Sequence, residues 1–447
     1  MPALEEPLVD LAELAGRLAS ATTFAARGRI TELAGLVLRA QVPGVRVGEL
    51  CHIVSPLDRR ALPAEVVGFR DNLVFLMPLG DTEGIGPDSE VHPTGQTMSV
   101  PVGPGLLGRV IDGLGKPIDG KGPLPSPDEQ SYPIYAPPPD PMKRRPIRQQ
   151  MTVGVRSIDA CLSLGRGQRM GIFASAGDGK SSLLGMMARH TEADINVIGL
   201  VGERGREVLD FIETSLGEAG LARSVVVVAT SDQPALLRLK AAYVATAVAE
   251  HFRDQGRSVL FMMDSLTRFA RAQREVGLAL GEPPAREGFP PSVFAILPRL
   301  LERTGNSDRG SITALYTVLI ESEELSDPIG EEVRSILDGH IYLARRLASR
   351  GHYPAIDVLK STSRLFELLA EDDQRRLARR LRELLAVYEK HQDLILIGAY
   401  VAGSDPLVDE AIARRGAIEA FLKQDLFEKS DAASALAALA VAVGEEA

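Results

Sequence analysis

Short stretches in which apolar and polar residues alternate recur between residues 27 and 100, beginning with Ile30 to Leu38. Turn residues such as Pro43-Gly44 and Gly80-Asp81 separate these stretches. A period of two is typical of a strand with one buried face, and several short strands at this spacing favour a small barrel. We therefore predict a β-barrel domain over residues 27–100.

A different pattern follows, because from about residue 150 to residue 365 continuous apolar runs alternate with helical stretches. The runs end at Phe173, Val201, Ala229, Met263 and Leu319. This alternation is typical of a parallel sheet covered by helices on both faces, which binds its ligands at the carboxyl ends of the strands. The residues between the two regions are rich in Gly and Pro and read as ordered loops or a linker. We assign 101–365 to one α/β domain.

Beyond Phe366 the pattern becomes helical. An apolar face is formed by Leu377, Leu381, Leu384, Leu385 and Tyr388. We predict a C-terminal helical domain over 366–447. The arginines around this face fit a solvated helix surface, and a nucleic-acid site is the alternative interpretation.

The first residues carry a short amphipathic pattern. Apolar positions at helical spacing are Leu8, Leu11, Leu14 and Leu18. We predict that residues 1–20 form a helix, which either packs on its own protein or docks a partner or a membrane surface, and we assign residues 1–26 to an N-terminal segment for partner binding or oligomerisation. The acidic residues between the leucines disfavour anionic lipid.

Composition narrows the class of protein. The 447-residue chain has a net charge of −10, which does not suit a nucleic-acid backbone. Its two cysteines, Cys51 and Cys161, imply neither a disulfide framework nor a zinc site. No apolar run reaches the ~18 residues of a transmembrane helix, and Glu5 and Glu6 stand where a signal peptide would be basic. We expect a cytoplasmic protein.

The strongest chemical signal is a loop of small residues after the apolar run that ends at Phe173. It contains Ala174, Ser175, Ala176, Gly177, Asp178, Gly179, Lys180 and Ser181, and a helical stretch starts with Ser181 and Ser182. Small residues let backbone N–H groups surround phosphates, a lysine adds a mobile positive charge, and a hydroxyl can ligate Mg²⁺. We predict a phosphate-binding loop, against the alternative of a glycine-rich turn.

Two positions in that loop depart from the usual pattern. Ala174 stands where Gly is usual, and Asp178 brings a negative charge. We expect the Asp178 side chain to point away from the phosphates, because an inward carboxylate would weaken nucleotide binding.

Two acids follow apolar strands further along the chain. Asp264 ends the run from Ser258, where phosphate-loop proteins hold Mg²⁺, usually through water. Glu203 follows the run that ends at Val201, where a carboxylate could orient the water that attacks the γ-phosphate. A surface salt bridge of Glu203 with Arg204 or Arg206 is the alternative.

Taken together, these motifs resemble the type III secretion ATPases, which are relatives of the catalytic subunits of rotary ATP synthases. The resemblance covers about residues 27–430. Its further motifs are Asp264 to Ala270, Gly281 to Ala285, Gly288 to Phe294 and Gly351 to Asp357. It implies an α/β fold with an N-terminal small β-barrel, a central RecA-like parallel-sheet nucleotide-binding domain and a C-terminal helical domain.

The resemblance also implies roles for single residues. Lys180 matches the phosphate-binding lysine, Ser181 and Asp264 match the Mg²⁺ site, and Glu203 matches the catalytic glutamate. Arg204 and Arg268 match arginines near the γ-phosphate. Tyr353 matches an aromatic residue that packs on adenine, with Phe421 as a second contact. Arg364 matches the arginine that a neighbouring subunit inserts into the site, unless it pairs with Asp357 or Glu367 in its own chain. The implied substrate and metal are ATP and Mg²⁺.

The implied partners belong to a secretion apparatus. They are the other subunits of a homo-hexameric ring, a stator-like peripheral protein, a central coiled-coil stalk, chaperone–effector complexes and an export gate at the inner membrane. The protein is expected to be cytoplasmic and peripherally associated with that membrane, without a nucleic-acid partner.

The stretch from Asp327 to His340 resembles the virulence injectisome branch more than the flagellar export branch. Two rival classes remain, a rotary ATP synthase subunit and a Rho-like nucleic-acid motor. The segment from Gly288 to Phe294 and the Ala174 loop disfavour the first. The acidic balance and the lack of an aromatic and basic stacking surface in the first hundred residues disfavour the second.

Overall fold

Six antiparallel strands close into the predicted barrel in the computed structural model, which describes residues 26–56, 60–124, 130–320 and 327–445. The strands are β1 (Gly28–Ala34), β2 (Val37–Gln41), β3 (Glu49–Val54), β4 (Ala61–Arg70), β5 (Leu73–Pro78) and β6 (Glu90–Thr97). Their order around the barrel is β1-β2-β5-β4-β3-β6, and β1 pairs with β6 to close it. Alternate residues such as Leu38, Ile53 and Leu76 fill the interior, which confirms the predicted period of two.

The predicted parallel sheet forms the second part of the chain. Its parallel strands are β8 (Arg109–Asp112), β10 (Arg169–Ala174), β11 (Ile195–Glu203), β12 (Ser224–Thr230), β13 (Ser258–Asp264), β15 (Ser311–Leu319) and β16 (Gly339–Tyr342). The antiparallel β17 (Thr362–Ser363) extends one edge, so the order is β17-β16-β10-β15-β13-β11-β12-β8. The short β14 (Gly305–Asn306) pairs with β15, and β7 (Ser99–Val102) pairs with β9 (Gln130–Pro133) in a separate ribbon.

Helices connect the parallel strands. They are α1 (Arg156–Cys161), α2 (Lys180–His190), α3 (Gly205–Asp210), α4 (Gly217–Ala222), α5 (Ala235–Asp254), α6 (Leu266–Ala279), α7 (Pro291–Leu301), α8 (Pro328–Ile336) and α9 (Arg345–Ala348). A π-helical segment, Phe211–Leu216, joins α3 to α4, and single 3₁₀ turns occupy Pro104–Leu106 and Pro141–Lys143. Every residue of β11 and β13 is buried, as expected for strands covered on both faces.

The C-terminal region is helical, as predicted. Its helices are α10 (Phe366–Leu369), α11 (Asp372–Leu396), α12 (Pro406–Leu422) and α13 (Ala432–Val443). Their apolar faces share one buried cluster with α1 and α2, because side chains such as Leu381 and Leu439 pack in the same core as Ile158 and Leu184. This core buries apolar surface that these helices would otherwise expose.

The chain divides into two compact units between Thr97 and Met98. The C-terminal helices belong to the core of the second unit. The helix predicted over residues 1–20 lies outside the described residues. In the described ranges, no helix combines the length and apolar character that crossing a membrane requires.

Candidate functional site

The predicted phosphate loop connects β10 to α2 at the carboxyl edge of the sheet. Its backbone turns through left-handed conformations at Gly177 (φ 91°) and Gly179 (φ 86°), which glycine adopts without strain. A Cβ added at Gly179 would lie 3.2 Å from the Tyr353 ring, so glycine also permits this close approach. The hydroxyl of Ser175 donates to the carbonyl of Ile320 at 3.0 Å and ties the loop to the end of β15.

Asp178 is turned onto the loop itself. Its side chain is almost fully enclosed, since the residue is 2% exposed, and Oδ2 accepts a hydrogen bond from the Ser175 amide at 2.7 Å. A carboxylate bound by backbone N–H groups is stabilised in its charged form. The unusual acid therefore closes the loop by a side-chain hydrogen bond across three residues.

Lys180 lies between the two predicted acids and contacts both. Its ammonium group pairs with Oδ1 of Asp264 and lies 3.5 Å from Oε1 of Glu203. Glu203 and Asp264 are the last residues of β11 and β13, which are neighbours in the sheet. The Thr317 hydroxyl donates to Oδ1 of Asp264 at 2.7 Å and holds that carboxylate in place. Adjacent strand ends thus place two acids and a lysine in one cluster.

The Glu203 carboxyl is buried, and burial raises its pKa to about 7. The nearby Asp264 charge raises this pKa further, while Lys180 and Arg268 oppose the shift. Desolvation disfavours the charged carboxylate and here outweighs the two cations. A carboxyl with a pKa near neutrality suits a group that must accept a proton at that pH.

The two arginines predicted near the γ-phosphate have different surroundings. The Arg268 guanidinium lies 3.1 Å from Oε2 of Glu203 and also donates to the carbonyl of Gly202. The Arg204 side chain is 76% exposed and pairs with Glu207 at 3.1 Å. Within one chain the structure thus brings Arg268 to Glu203 and leaves Arg204 at the surface. The surface salt bridge considered for Glu203 involves Glu207 instead.

A cavity of ≈ 740 Å³ lies beside the loop helix. Its walls comprise Gly177, Gly179, Ser182, Leu183, Met186, Gly351, Tyr353, Pro354, Lys423, Gln424, Asp425, Leu426 and Glu428. Tyr353 is 45% exposed, so part of its ring is accessible. Phe421 does not line the cavity, because its side chain is 4% exposed and packs in the core around α12. The structure therefore gives no support to a contact of Phe421 with adenine.

Gln424 and Arg156 are site residues that sequence reasoning missed. The Gln424 backbone amide donates to the Tyr353 carbonyl at 2.9 Å, and the side-chain oxygen Oε1 of Gln424 accepts from the Arg156 backbone amide at 2.9 Å. Arg156 also donates to the Phe421 carbonyl at 3.1 Å. Together they fasten the C-terminal wall of the cavity to α1. No local pattern signals this role, because the partners are 268 residues apart.

Arg364 lies near the amino ends of the parallel strands, whereas the phosphate loop lies at their carboxyl ends. Arg364 follows β17, its amide donates to Asp338 at 2.9 Å, and Asp338 precedes β16. The phosphate loop begins at the carboxyl end of β10, so one strand length, roughly 15–20 Å, separates the two levels of the sheet. Arg364 is exposed, and its guanidinium donates to the Arg334 carbonyl at 3.4 Å.

The two carboxylates considered as partners of Arg364 are engaged elsewhere. Asp357 pairs with Arg346 at 2.7 Å, and Glu367 pairs with Arg379 at 3.0 Å. Within the described ranges, Arg364 thus reaches neither those acids nor the phosphate loop of its own chain.

The donor set at the loop fits a Mg²⁺ site. Ser181 offers a hydroxyl and Asp264 a carboxylate, both hard oxygen donors. The ammonium of Lys180 already lies against Asp264, so this carboxylate accepts a cation at this place. In the described part of the chain there is no group of three or more His, Cys, Asp or Glu side chains that could hold a metal.

Comparison with known proteins places these features in a family. Residues 154–363 match the nucleotide-binding domain of the ATP synthase alpha/beta family, and residues 30–95 match its beta-barrel domain. Residues 370–441 match the T3SS EscN ATPase C-terminal domain.

Whole proteins match over nearly the full chain. A type 3 secretion system ATPase of Xanthomonas euvesicatoria is 54% identical over 420 residues, 94% of each chain. A flagellum-specific ATP synthase of Bacillus subtilis is 53% identical over 424 residues, 94% of this chain and 95% of that protein. The assembled ATPase EscN of the enteropathogenic E. coli type III secretion system superposes with a TM-score of 0.88 at 46% identity, covering 93% of this chain and 100% of that one.

The fold and the phosphate-loop site define a nucleotide-hydrolysing enzyme of the ATP synthase alpha/beta class. The chain belongs to the type III secretion and flagellar export ATPases, and the predicted resemblance is confirmed.

Proposed function

We propose that this ATPase hydrolyses Mg²⁺-ATP at the subunit interfaces of a homo-hexameric ring and thereby powers type III protein export from the bacterial cytoplasm. The observation that carries the proposal is the cluster of Lys180, Glu203 and Asp264 beside the phosphate loop, in a chain 54% identical to a type 3 secretion system ATPase.

Several residues of the loop are proposed to bind the nucleotide. The backbone from Ala176 to Gly179 surrounds the phosphates, and Lys180 turns from Asp264 to the β- and γ-phosphates when they enter. Ser181 and, through water, Asp264 would hold Mg²⁺, which supplies positive charge to the phosphate oxygens. Ser182 and Tyr353 border the space for the ribose and adenine.

Glu203 acts as the acceptor that orients water. Its raised pKa, to about 7, makes the carboxylate basic enough to polarise a water molecule at neutral pH. Arg268 fixes the carboxylate through its 3.1 Å contact and stands ready to meet charge on the γ-phosphate. The chemistry is therefore mostly positioning and electrostatic stabilisation, as in other phosphoryl transfers.

Arg364 completes the site of the next subunit. An exposed arginine one strand length away from its own phosphate loop is suited to act in trans. Such arginines are worth ~10³–10⁵ in rate in related phosphoryl-transfer enzymes. Hydrolysis would then depend on ring assembly. Arg204, exposed on the same edge as Glu203, is proposed to contribute only once the ring forms.

The partners are proposed from the relatives. EscN has been solved as an assembled ATPase and in a complex with its central stalk EscO, the latter matching this chain with a TM-score of 0.86 at 45% identity. We extend to this chain a hexamer and a coiled-coil stalk. A stator-like protein, chaperone–effector complexes and an inner-membrane export gate complete the proposed apparatus, with the protein cytoplasmic and peripheral to that membrane. The injectisome branch is preferred because of the stretch from Asp327 to His340.

The test is Lys180→Ala in the full chain, with ATP turnover and export of a secreted substrate measured together. Turnover should fall below about a tenth of wild type and export should stop, because no other loop cation replaces the ammonium group. Retained turnover would overturn the site assignment. Lost turnover with normal type III export would overturn the biological role. Hydrolysis stimulated by RNA would favour a nucleic-acid motor instead.

A further inference from the structure

A second cavity lies at the amino ends of the parallel strands, on the edge of the sheet opposite the phosphate loop. Its volume is ≈ 340 Å³, and its walls come from the segment 145–149 and from the loops that precede β10, β11, β13 and β15. Five arginines line it: Arg145, Arg148, Arg166, Arg257 and Arg309. This cavity shares no residue with the nucleotide site.

Only part of the positive charge of this arginine cavity is offset by a carboxylate. Among the lining residues that the structure describes, Asp194 is the one acid, and its Oδ2 accepts a hydrogen bond from the Ser258 amide at 2.8 Å. As far as the structure describes the chain, none of the five guanidinium groups forms an ion pair with a carboxylate. In a protein with a net charge of −10, so many unpaired positive charges in one concave place form a local anion-attracting field.

Hydrogen bonds between the loops hold the arginines close together. Asn306 donates to the Arg145 carbonyl at 2.9 Å, and the Arg166 amide donates to the Gln149 carbonyl at 2.8 Å. The Ser311 amide donates to the Arg257 carbonyl at 3.1 Å. The fold therefore maintains the cluster against mutual repulsion, and the cavity is formed before any ligand arrives.

Arg166 supplies an independent sign of a missing partner. Its Nε is buried and has no hydrogen-bond partner within the described ranges. Buried donors in native proteins are nearly always satisfied, so an orphan group calls for an explanation.

We infer that the arginine cavity binds a compact anion of the phosphate class, with pyrophosphate as the simplest example. Guanidinium groups offer paired N–H donors that match phosphate oxygens, and several of them together suit an anion with more than one phosphoryl group. Among the lining residues that the structure describes, there is no aromatic side chain to stack on a base. A free inorganic polyphosphate therefore fits better than a nucleotide.

The experiment is a calorimetric titration of pyrophosphate into the full chain without Mg²⁺, in a Lys180→Ala background that weakens the phosphate loop. The variant to compare carries Arg257→Gln and Arg309→Gln, both at exposed positions where loss of charge leaves the core intact. A matched control carries Arg29→Gln and Arg70→Gln, two exposed arginines of the barrel. Binding should weaken at least ~10-fold in the cavity variant and stay unchanged in the control, since only the first removes anion contacts.

A second variant tests whether weaker binding results from a disturbed fold instead of from lost anion contacts. Arg148→Gln removes one exposed guanidinium of the cavity and should weaken pyrophosphate by a smaller factor, with unfolding temperature unchanged. Equal affinity in parent, cavity variant and Arg148→Gln would overturn the inference, as would no binding to the parent below millimolar concentration. ADP forms the other arm of the test. If ADP binds more tightly than pyrophosphate and the cavity variant abolishes this binding, the ligand is a nucleotide and the base-free assignment is wrong.

Discussion

The guanidinium group of Arg268 lies 3.1 Å from Oε2 of Glu203, while the Lys180 ammonium lies 3.5 Å from Oε1. Two cations thus flank one carboxyl group, and its pKa is nevertheless raised to about 7 by burial and by Asp264. Asp264 is also the proposed Mg²⁺ ligand. A cation bound there would offset the Asp264 charge and thereby change the pKa of Glu203.

Glu203→Gln should separate nucleotide binding from chemistry. The amide keeps the shape and the hydrogen-bonding capacity of the side chain but loses the charge that polarises water. We expect ATP affinity near that of wild type and a kcat lower by ~10²–10⁴. Equilibrium binding and steady-state turnover measure the two effects.

Glu207→Gln is the matched control for that variant. Glu207 hydrogen-bonds Glu203 and pairs with the exposed Arg204 at 3.1 Å, but its side chain is more exposed than that of Glu203, so its substitution should lower kcat less. If Glu203→Gln hydrolyses ATP normally and Glu207→Gln does not, the roles of the two acids are reversed.

The pH dependence of hydrolysis should show an acid limb. Glu203 must be ionised to accept a proton, and its pKa is raised to about 7 in the free enzyme. We expect kcat/KM to fall as pH decreases through about 7, because this parameter reports the free enzyme. A limb centred near pH 4.5, the ordinary value for glutamate, would contradict the burial argument.

The free energy of unfolding should also depend on protonation of Glu203, but it should increase as pH falls, whereas kcat/KM decreases. Because the folded-state pKa of Glu203 lies above the unfolded value, the fold binds a proton more tightly than the unfolded chain does. The burial cost of the ionised carboxyl is present above about pH 7 and is relieved as pH falls toward 4.5. Without nucleotide, Glu203→Gln should therefore raise the unfolding temperature more at pH 8 than at pH 5. The exposed Glu218→Gln serves as the control.

Arg364→Ala tests the interfacial role. The variant should bind ATP and assemble, yet lose hydrolysis by ~10³–10⁵, because each site lacks the charge supplied by its neighbour. Specific activity of the wild type should also rise with protein concentration as rings form.

Mixing two inactive variants makes that test sharper. Lys180→Ala subunits keep the arginine but have a dead site, and Arg364→Ala subunits have the reverse defect. Mixed rings should recover part of the lost activity, since adjacent subunits supply what each lacks. No recovery in rings shown independently to be mixed would count against action in trans.

Tyr353 and Phe421 should respond differently to truncation. Tyr353→Ala removes an accessible ring from the cavity beside the loop helix and should weaken ATP binding by ~1–3 kcal/mol with little change in unfolding temperature. Phe421→Ala empties a core position and should cost about 3–5 kcal/mol of stability. Tyr353→Phe is the control that keeps the ring. A stable Phe421→Ala protein with impaired ATP binding would restore the predicted adenine contact.

Local sequence was enough to predict the phosphate loop and the acids at the strand ends. Ala174 to Ser181 are consecutive, so the strand, the turn and the helix start that form the loop are encoded within one short segment. Asp264 and Glu203 follow buried strands, and parallel strands present their carboxyl ends at one edge. The period-two pattern likewise defined the barrel, because alternation directly reflects which face of a strand is buried.

Tertiary structure alone decided which of the arginines and aromatic residues reach the site. Arg204 and Arg268 both follow strands of the same sheet edge, yet only Arg268 contacts Glu203, because α6 directs it across the end of β11 while Arg204 faces solvent. From sequence alone, Phe421 cannot be told apart from a residue that stacks on a base. Its burial in the packing of α12 shows that it is a core residue. The positions of Arg364 and of the cavity arginines are set by loops that meet at the amino ends of the parallel strands. Sequence patterns report local periodicity, whereas contacts between residues far apart in the chain arise only when the sheet brings them together.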